Sequence, residues 1–189
     1  MQKSKLQIKN QNKNKKEEIE CANFFIKRFN KKYNLNYQII PNESVNSDTD
    51  VSAISNNNPK YNFQIITGEG PLKRICGSLK TRSKQTGQNI VMVDAAIDMN
   101  IEKWIQEAIE KKKNKKYSSA KHLILLICRE IGPLFNTDYA KERFANFKNF
   151  NFKGIYIVHL PTTSETSSHP HNGQIIAIKD IFGNRGECF

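Results

Sequence analysis

Three oxygen-bearing side chains in the N-terminal part of the chain have the types and order that metal-assisted phosphate chemistry uses. Glu18 stands in one segment, Asp50 in the next, and the amide of Gln64 in the one after. Hard divalent cations take oxygen ligands that converge from separate elements, and this order can supply them. Ile19, Ala22, Ile26, Phe29 and Tyr33 recur at helical spacing, which predicts a helix over Glu17 to Lys32 with Glu18 at the edge of its apolar stripe, stacked on Ala22. Glu17, Glu18 and Glu20 also suit a helix N-terminus on electrostatic grounds alone. From Asp48 to Thr67 the chain reads as a hairpin. Val51, Ala53 and Ile54 form one arm, Asn56 to Tyr61 a polar turn, and Phe63, Ile65 and Ile66 the second arm. Asp50 then lies at the mouth of one strand and faces Gln64 on the other.

A helix glutamate, a strand aspartate and a polar residue on the following strand resemble the PD-(D/E)XK nuclease superfamily, which has the restriction-endonuclease-like fold. Glu18 with Ala22, Phe25 and Phe29 resembles the helix motif, and Asp50 resembles the first strand acid. Gln64-Ile65-Ile66 stands where the family has acid-x-lysine, so a neutral amide replaces the carboxylate and Ile66 replaces the lysine. Divergent members carry glutamine at this strand and recruit a lysine from a neighbouring helix. The resemblance spans roughly residues 15 to 160 on short motifs. It implies an α/β fold, a central mixed β-sheet flanked by helices, with a restriction-endonuclease-like core. It further implies Mg²⁺ held by Asp50, Gln64 and Glu18, and hydrolysis of DNA phosphodiester bonds.

If a lysine is recruited, the second helix supplies the candidates. Ile101, Ile105, Ala108 and Ile109 share one arc of a helix read over Asn100 to Tyr117. At ~100° per residue Lys112 projects within roughly 20° of Ile101 and Lys116 within roughly 60°, so the inward stripe ends in two lysines. They are candidates to orient the attacking water or to neutralise charge on the phosphate. Snorkelling from the apolar face to water accounts for them equally simply. The basic segment from Leu72 to Gln88 holds Lys73, Arg74, Lys80, Arg82 and Lys84, which are either phosphate contacts or an ordinary surface loop.

The chain has 189 residues and a formal net charge of +12, which fits one domain and favours an anionic partner. Nucleic acid, DNA in the first instance, is that partner; a homodimer is an allowed assembly. A Lys/Asn-biased composition with a solvated surface also yields such a charge. Residues 1 to 14 read as a flexible basic arm and residues 15 to 189 as a single domain. Tyr37 to Ile40, Asn89 to Val93, His122 to Cys128, Gly154 to Leu160 and Gln174 to Ile181 read as strands, the third buried on both faces and the last two as a long-looped hairpin. Tyr139 to Phe147 reads as a further helix. The resulting helix-strand-strand-strand-helix-strand pattern is an α/β sandwich.

Cys21, Cys76, Cys128 and Cys188 have no Cys-x-x-Cys spacing and suit reduced core positions. No signal-like or membrane-length apolar run is present, which predicts a cytoplasmic protein without membrane contact. His159, His169 and His171 lack matching Cys or acid spacing and read as surface-loop residues before metal ligands. Phosphate-cradling glycine motifs and a Gly-x-Ser-x-Gly elbow are absent from the sequence. Two functions remain: a Mg²⁺-dependent endonuclease, or a catalytically silent module of the same fold that binds nucleic acid or protein.

Overall fold

A computed structural model describes residues 5–42, 48–67, 104–112, 117, 120–129, 138, 142, 151–162, 171–182 and 187–189. Helix α1 (Lys5–Tyr33) is followed by strands β1 (Gln38–Pro41), β2 (Val51–Ser55) and β3 (Asn58–Ile66). Residues 104–112 form helix α2, after which come β4 (Leu123–Arg129), β5 (Gly154–His159), β6 (Gln174–Lys179) and β7 (Glu187–Cys188). The seven strands form one mixed sheet in sequence order. Pairing is antiparallel from β1 to β3, parallel from β3 through β4 to β5, and antiparallel again to β7. The protein is therefore of the α/β class around a mixed sheet, as its alternation of periods implies.

Each face of the sheet is covered by one helix because each helix has one apolar stripe to bury. On the α1 side, Phe25, Ile26 and Phe29 pack with Phe63, Ile65, Leu126, Tyr156 and Val158. On the α2 side, Trp104, Ile105 and Ile109 pack with Leu125, Ile127, Ile155 and Ile157. Strands β4 and β5 are buried along their whole length, as the apolar runs predict for strands covered on both sides. Cys21 and Cys128 lie in the α1-side core. Asn34, at φ 54°, closes α1, and the amide of Leu35 donates to the Asn30 carbonyl at 2.9 Å. The Asn30 side chain then bonds the Tyr37 backbone in both directions, which aims the chain into β1.

Two boundaries differ from the sequence reading. The helix begins at Lys5, well before Glu17, because Lys and Gln are good helix formers even without an apolar stripe. The hairpin turn is only Asn56 and Asn57, and Asn58, Pro59 and Lys60 already belong to β3. Proline is tolerated at this strand start beside a register shift, and the Pro59 carbonyl accepts the Tyr37 hydroxyl at 2.9 Å. The strand read at Asn89 to Val93, the segment from Leu72 to Gln88, and the helix read at Tyr139 to Phe147 apart from Glu142, lie outside the described residues. No helix among the described residues is long and apolar enough to cross a membrane.

The tightest backbone approach is at Gly173, which has φ 79°. A Cβ there would lie 2.7 Å from the His159 carbonyl oxygen and 2.5 Å from Phe24 Cζ. Gly173→Ala should therefore lower stability by about 2–4 kcal/mol, left-handed strain and overpacking together. Urea denaturation measures this, and a loss below about 0.5 kcal/mol would show that the β6 entry adapts.

Candidate functional site

Asp50 sits one residue before β2 and continues its ladder: its amide donates to the Phe63 carbonyl at 2.9 Å. Val51 is registered with Phe63, so Asp50 stands across from Gln64. One carboxylate oxygen, Oδ2, accepts the Ile65 amide at 2.7 Å. The loop holding it is tied on its other side, where the Asn42 side chain donates to the Thr49 carbonyl at 3.1 Å. A strand-entry position with both neighbours pinned gives the carboxylate a defined direction.

Gln64 is 4% exposed on the α2 face. A buried amide must satisfy both of its ends, and here the partners come from three elements. Its Nε2 donates to the Asp48 carbonyl. Its Oε1 accepts the Lys112 ammonium from α2 at 2.6 Å and the Tyr117 hydroxyl at 3.3 Å. The recruited-lysine position anticipated for the end of α2 is thus occupied by Lys112. Ile66, which stands where the family's strand lysine would be, packs instead against the α2-side core.

Glu18 completes the group from α1. It is half-buried, and desolvation, reinforced by the negative charge of Asp50, raises its pKa from 4.5 to about 7, with Lys112 and Lys15 opposing. Burial, with Asp50 and Asp48, likewise pushes the Tyr117 phenol up to about 12, so it stays a neutral donor. Glu18, Asp50, Gln64 and Lys112 are therefore brought together from four elements. Lys116, Lys73, Arg74, Lys80, Arg82 and Lys84 lie outside the described residues. Tyr117 and the Asp48 carbonyl belong to the site and were not singled out as site groups by the sequence reading. The one signal for Tyr117 was its position at the end of the helix that carries the lysines.

Among the described residues no three His, Cys, Asp or Glu side chains gather as a metal cage. Two carboxylates held together against their mutual repulsion nevertheless suit Mg²⁺, which takes one or two carboxylates and keeps several waters. The donor set in hand is Glu18 and Asp50. Gln64 Oε1 already accepts two hydrogen bonds, so its first role is to seat Lys112. No family model, curated protein or solved structure matches the chain.

Glu18 gives the site a pH signature. Its raised folded-state pKa means that the protonated form contributes stability that is fully present below pH 4.5 and lost as pH rises through about 7. Glu18→Gln stays neutral throughout. The wild type should lose roughly 1–2 kcal/mol relative to that variant across the window, after discounting for solvent screening. Denaturant curves across that range check this, and parallel pH dependences would show Glu18 to be an ordinary surface carboxylate.

Proposed function

We propose that the chain is a metal-dependent endonuclease-like protein with a restriction-endonuclease-like core, acting on DNA phosphodiester bonds. The observation that carries this reading is the Lys112 ammonium seated on Gln64 beside Asp50 and Glu18, which puts a cation among acids at a sheet position where the resemblance requires one. Glu18 and Asp50 would hold Mg²⁺. When bound, the ion polarises the scissile phosphate and lowers the pKa of the attacking water. Lys112 neutralises charge developing on the phosphate or orients that water, held in place by Gln64 and kept from collapsing onto one carboxylate. Glu18 must lose its proton to ligate, so Mg²⁺ affinity rises with pH up to about 7 and levels above it.

The second reading is a silent binding module of the same fold. It is favoured by Gln64 itself, whose amide adds no carboxylate to the donor set and is saturated by hydrogen bonds.

Incubation of plasmid and single-stranded DNA with Mg²⁺ or Mn²⁺ separates the two. Cleavage is expected from the wild type and none from Asp50→Ala. Lys112→Met should lose about 10²–10³ in rate, the scale of one transition-state contact, while losing about 1 kcal/mol or less of stability because Tyr117 still donates to Gln64. DNA affinity should fall steeply with salt, by roughly 0.9 in log K per phosphate contact. Salt-sensitive binding without cleavage identifies the silent module. Absence of both would leave the +12 charge as composition alone.

A further inference from the structure

A second polar cluster lies on the same face of the sheet as Gln64, at the C-terminal ends of β4 and β5. Arg129 and His159 are register partners there, and both are fully buried. Arg129 is four residues beyond Leu125, the partner of Gln64, and so roughly 13 Å further along the strand direction. His171, paired with Thr162 across an isolated bridge, brings its ring centroid to 4.3 Å from that of His159 in a T-shaped contact. His171 is partly exposed and Asn172 beside it is exposed, so the cluster meets solvent on that side.

The sequence reading placed these histidines in a surface loop, and His159 is instead a buried strand residue. Buried imidazoles ordinarily have hydrogen-bonded nitrogens, yet both Nδ1 and Nε2 of His159 are buried without a hydrogen-bond partner. Burial, the Arg129 guanidinium and then His171 drive its pKa far down, so the ring is neutral. A metal is the wrong occupant. The Gly173 amide donates to His171 Nδ1 at 3.1 Å, which leaves the neutral ring's proton on Nε2, and the adjacent guanidinium repels a cation. What the cluster offers is donors: the guanidinium, the His171 Nε2–H and one N–H of His159. Convergent donors around a fixed positive charge, with a buried imidazole still to be satisfied, suit an oxyanion.

We propose that Arg129, His159 and His171 form a binding site for a phosphate oxyanion, supplied either by a nucleic acid or as free inorganic phosphate. The inference stands apart from the nuclease reading, since none of these residues belongs to the Glu18–Asp50–Lys112 group. An anion beside His159 offsets the repulsion from Arg129 and favours the imidazolium, so binding draws a proton onto the ring. Arg129 from β4 and His171 from the segment before β6 are the charged and titratable groups acting on it among the described residues.

Long-range ¹H–¹⁵N spectra of the histidine side chains of the full chain test this. The probes are inorganic phosphate and two oligonucleotides identical except for a 5′-phosphate, at low salt. The expected result is a saturable shift of the His159 nitrogens toward the imidazolium pattern. A shift with inorganic phosphate alone assigns the free anion, a shift with both oligonucleotides assigns backbone phosphate, and a shift with only the phosphorylated one assigns a terminal phosphate. His159→Phe should weaken the interaction about tenfold or more, whereas Asp50→Ala should leave it unchanged. His159 resonances unmoved by all three probes would overturn the proposal, as would undiminished phosphate affinity in a folded His159→Phe. If that variant does not fold, the wild-type spectra decide alone.

Discussion

The parallel pairing of β3 with β4 is the constraint from which the candidate site follows. A strand cannot turn directly into a parallel neighbour, so the chain must leave the end of β3, cross the sheet and re-enter at its other end. Helix α2 lies in that crossover, and it is held by burying Trp104, Ile105 and Ile109 against Leu125 and Ile127. Lys112 comes one helical turn after Ile109 and therefore projects over the same face. The packing that seats the helix thus delivers the ammonium to Gln64. Once the helix supplies the cation, position 66 on the strand is released for an apolar residue, and Ile66 packs there against the same core.

Gln64 is an economical solution to the charge problem at this point of the fold. A glutamate would accept from Lys112 and Tyr117 as well, but it could not donate to the Asp48 carbonyl, and an unsatisfied buried carbonyl costs about 1–3 kcal/mol. It would also add a negative charge beside Asp50 and Glu18, and Glu18 is already held near half-protonation at neutral pH. The amide positions the lysine without that repulsion. What is lost is a ligand oxygen, so the same residue that stabilises the resting site weakens it as a divalent cation site. That trade places the enzyme and the silent-module readings close together.

The elements with strong periodicity were legible from the residues alone. The α1 stripe, the hairpin, the doubly buried β4 and the antiparallel partnership of β5 with β6 all follow from apolar spacing, because burial on one or two faces is what that spacing encodes. Asp50 and Gln64 were placed together by hairpin register, and Lys112 by the angle of its helix stripe. Boundaries were harder. Asn58 and Pro59 carry turn-like local preferences that the pairing of β3 overrides, and the first turns of α1 have no apolar stripe to announce them. Arg129 and His159 were illegible for a different reason: their types read as surface, and only the tertiary arrangement reveals that a strand end buried on both sides carries them inward.

Charge is distributed in two opposite senses. The chain as a whole is strongly basic, while the group around Asp50 is acidic enough to hold a proton on Glu18. A uniformly basic surface would attract phosphates but could not gather a divalent cation, and a uniformly acidic one would collect cations but repel a polyanion. Both requirements can be met only if the acids are few, adjacent and desolvated, so that their field stays local, while the basic charge acts over the longer range. At physiological ionic strength that range is about 8 Å, which makes local segregation effective at the dimensions of this sheet. The acids at one level of the α2 face and the buried guanidinium of Arg129 roughly 13 Å further along it are separated by more than that length. Solvent-side screening therefore lets the two groups act as distinct electrostatic sites on one rigid surface, each selecting a ligand of the opposite sign.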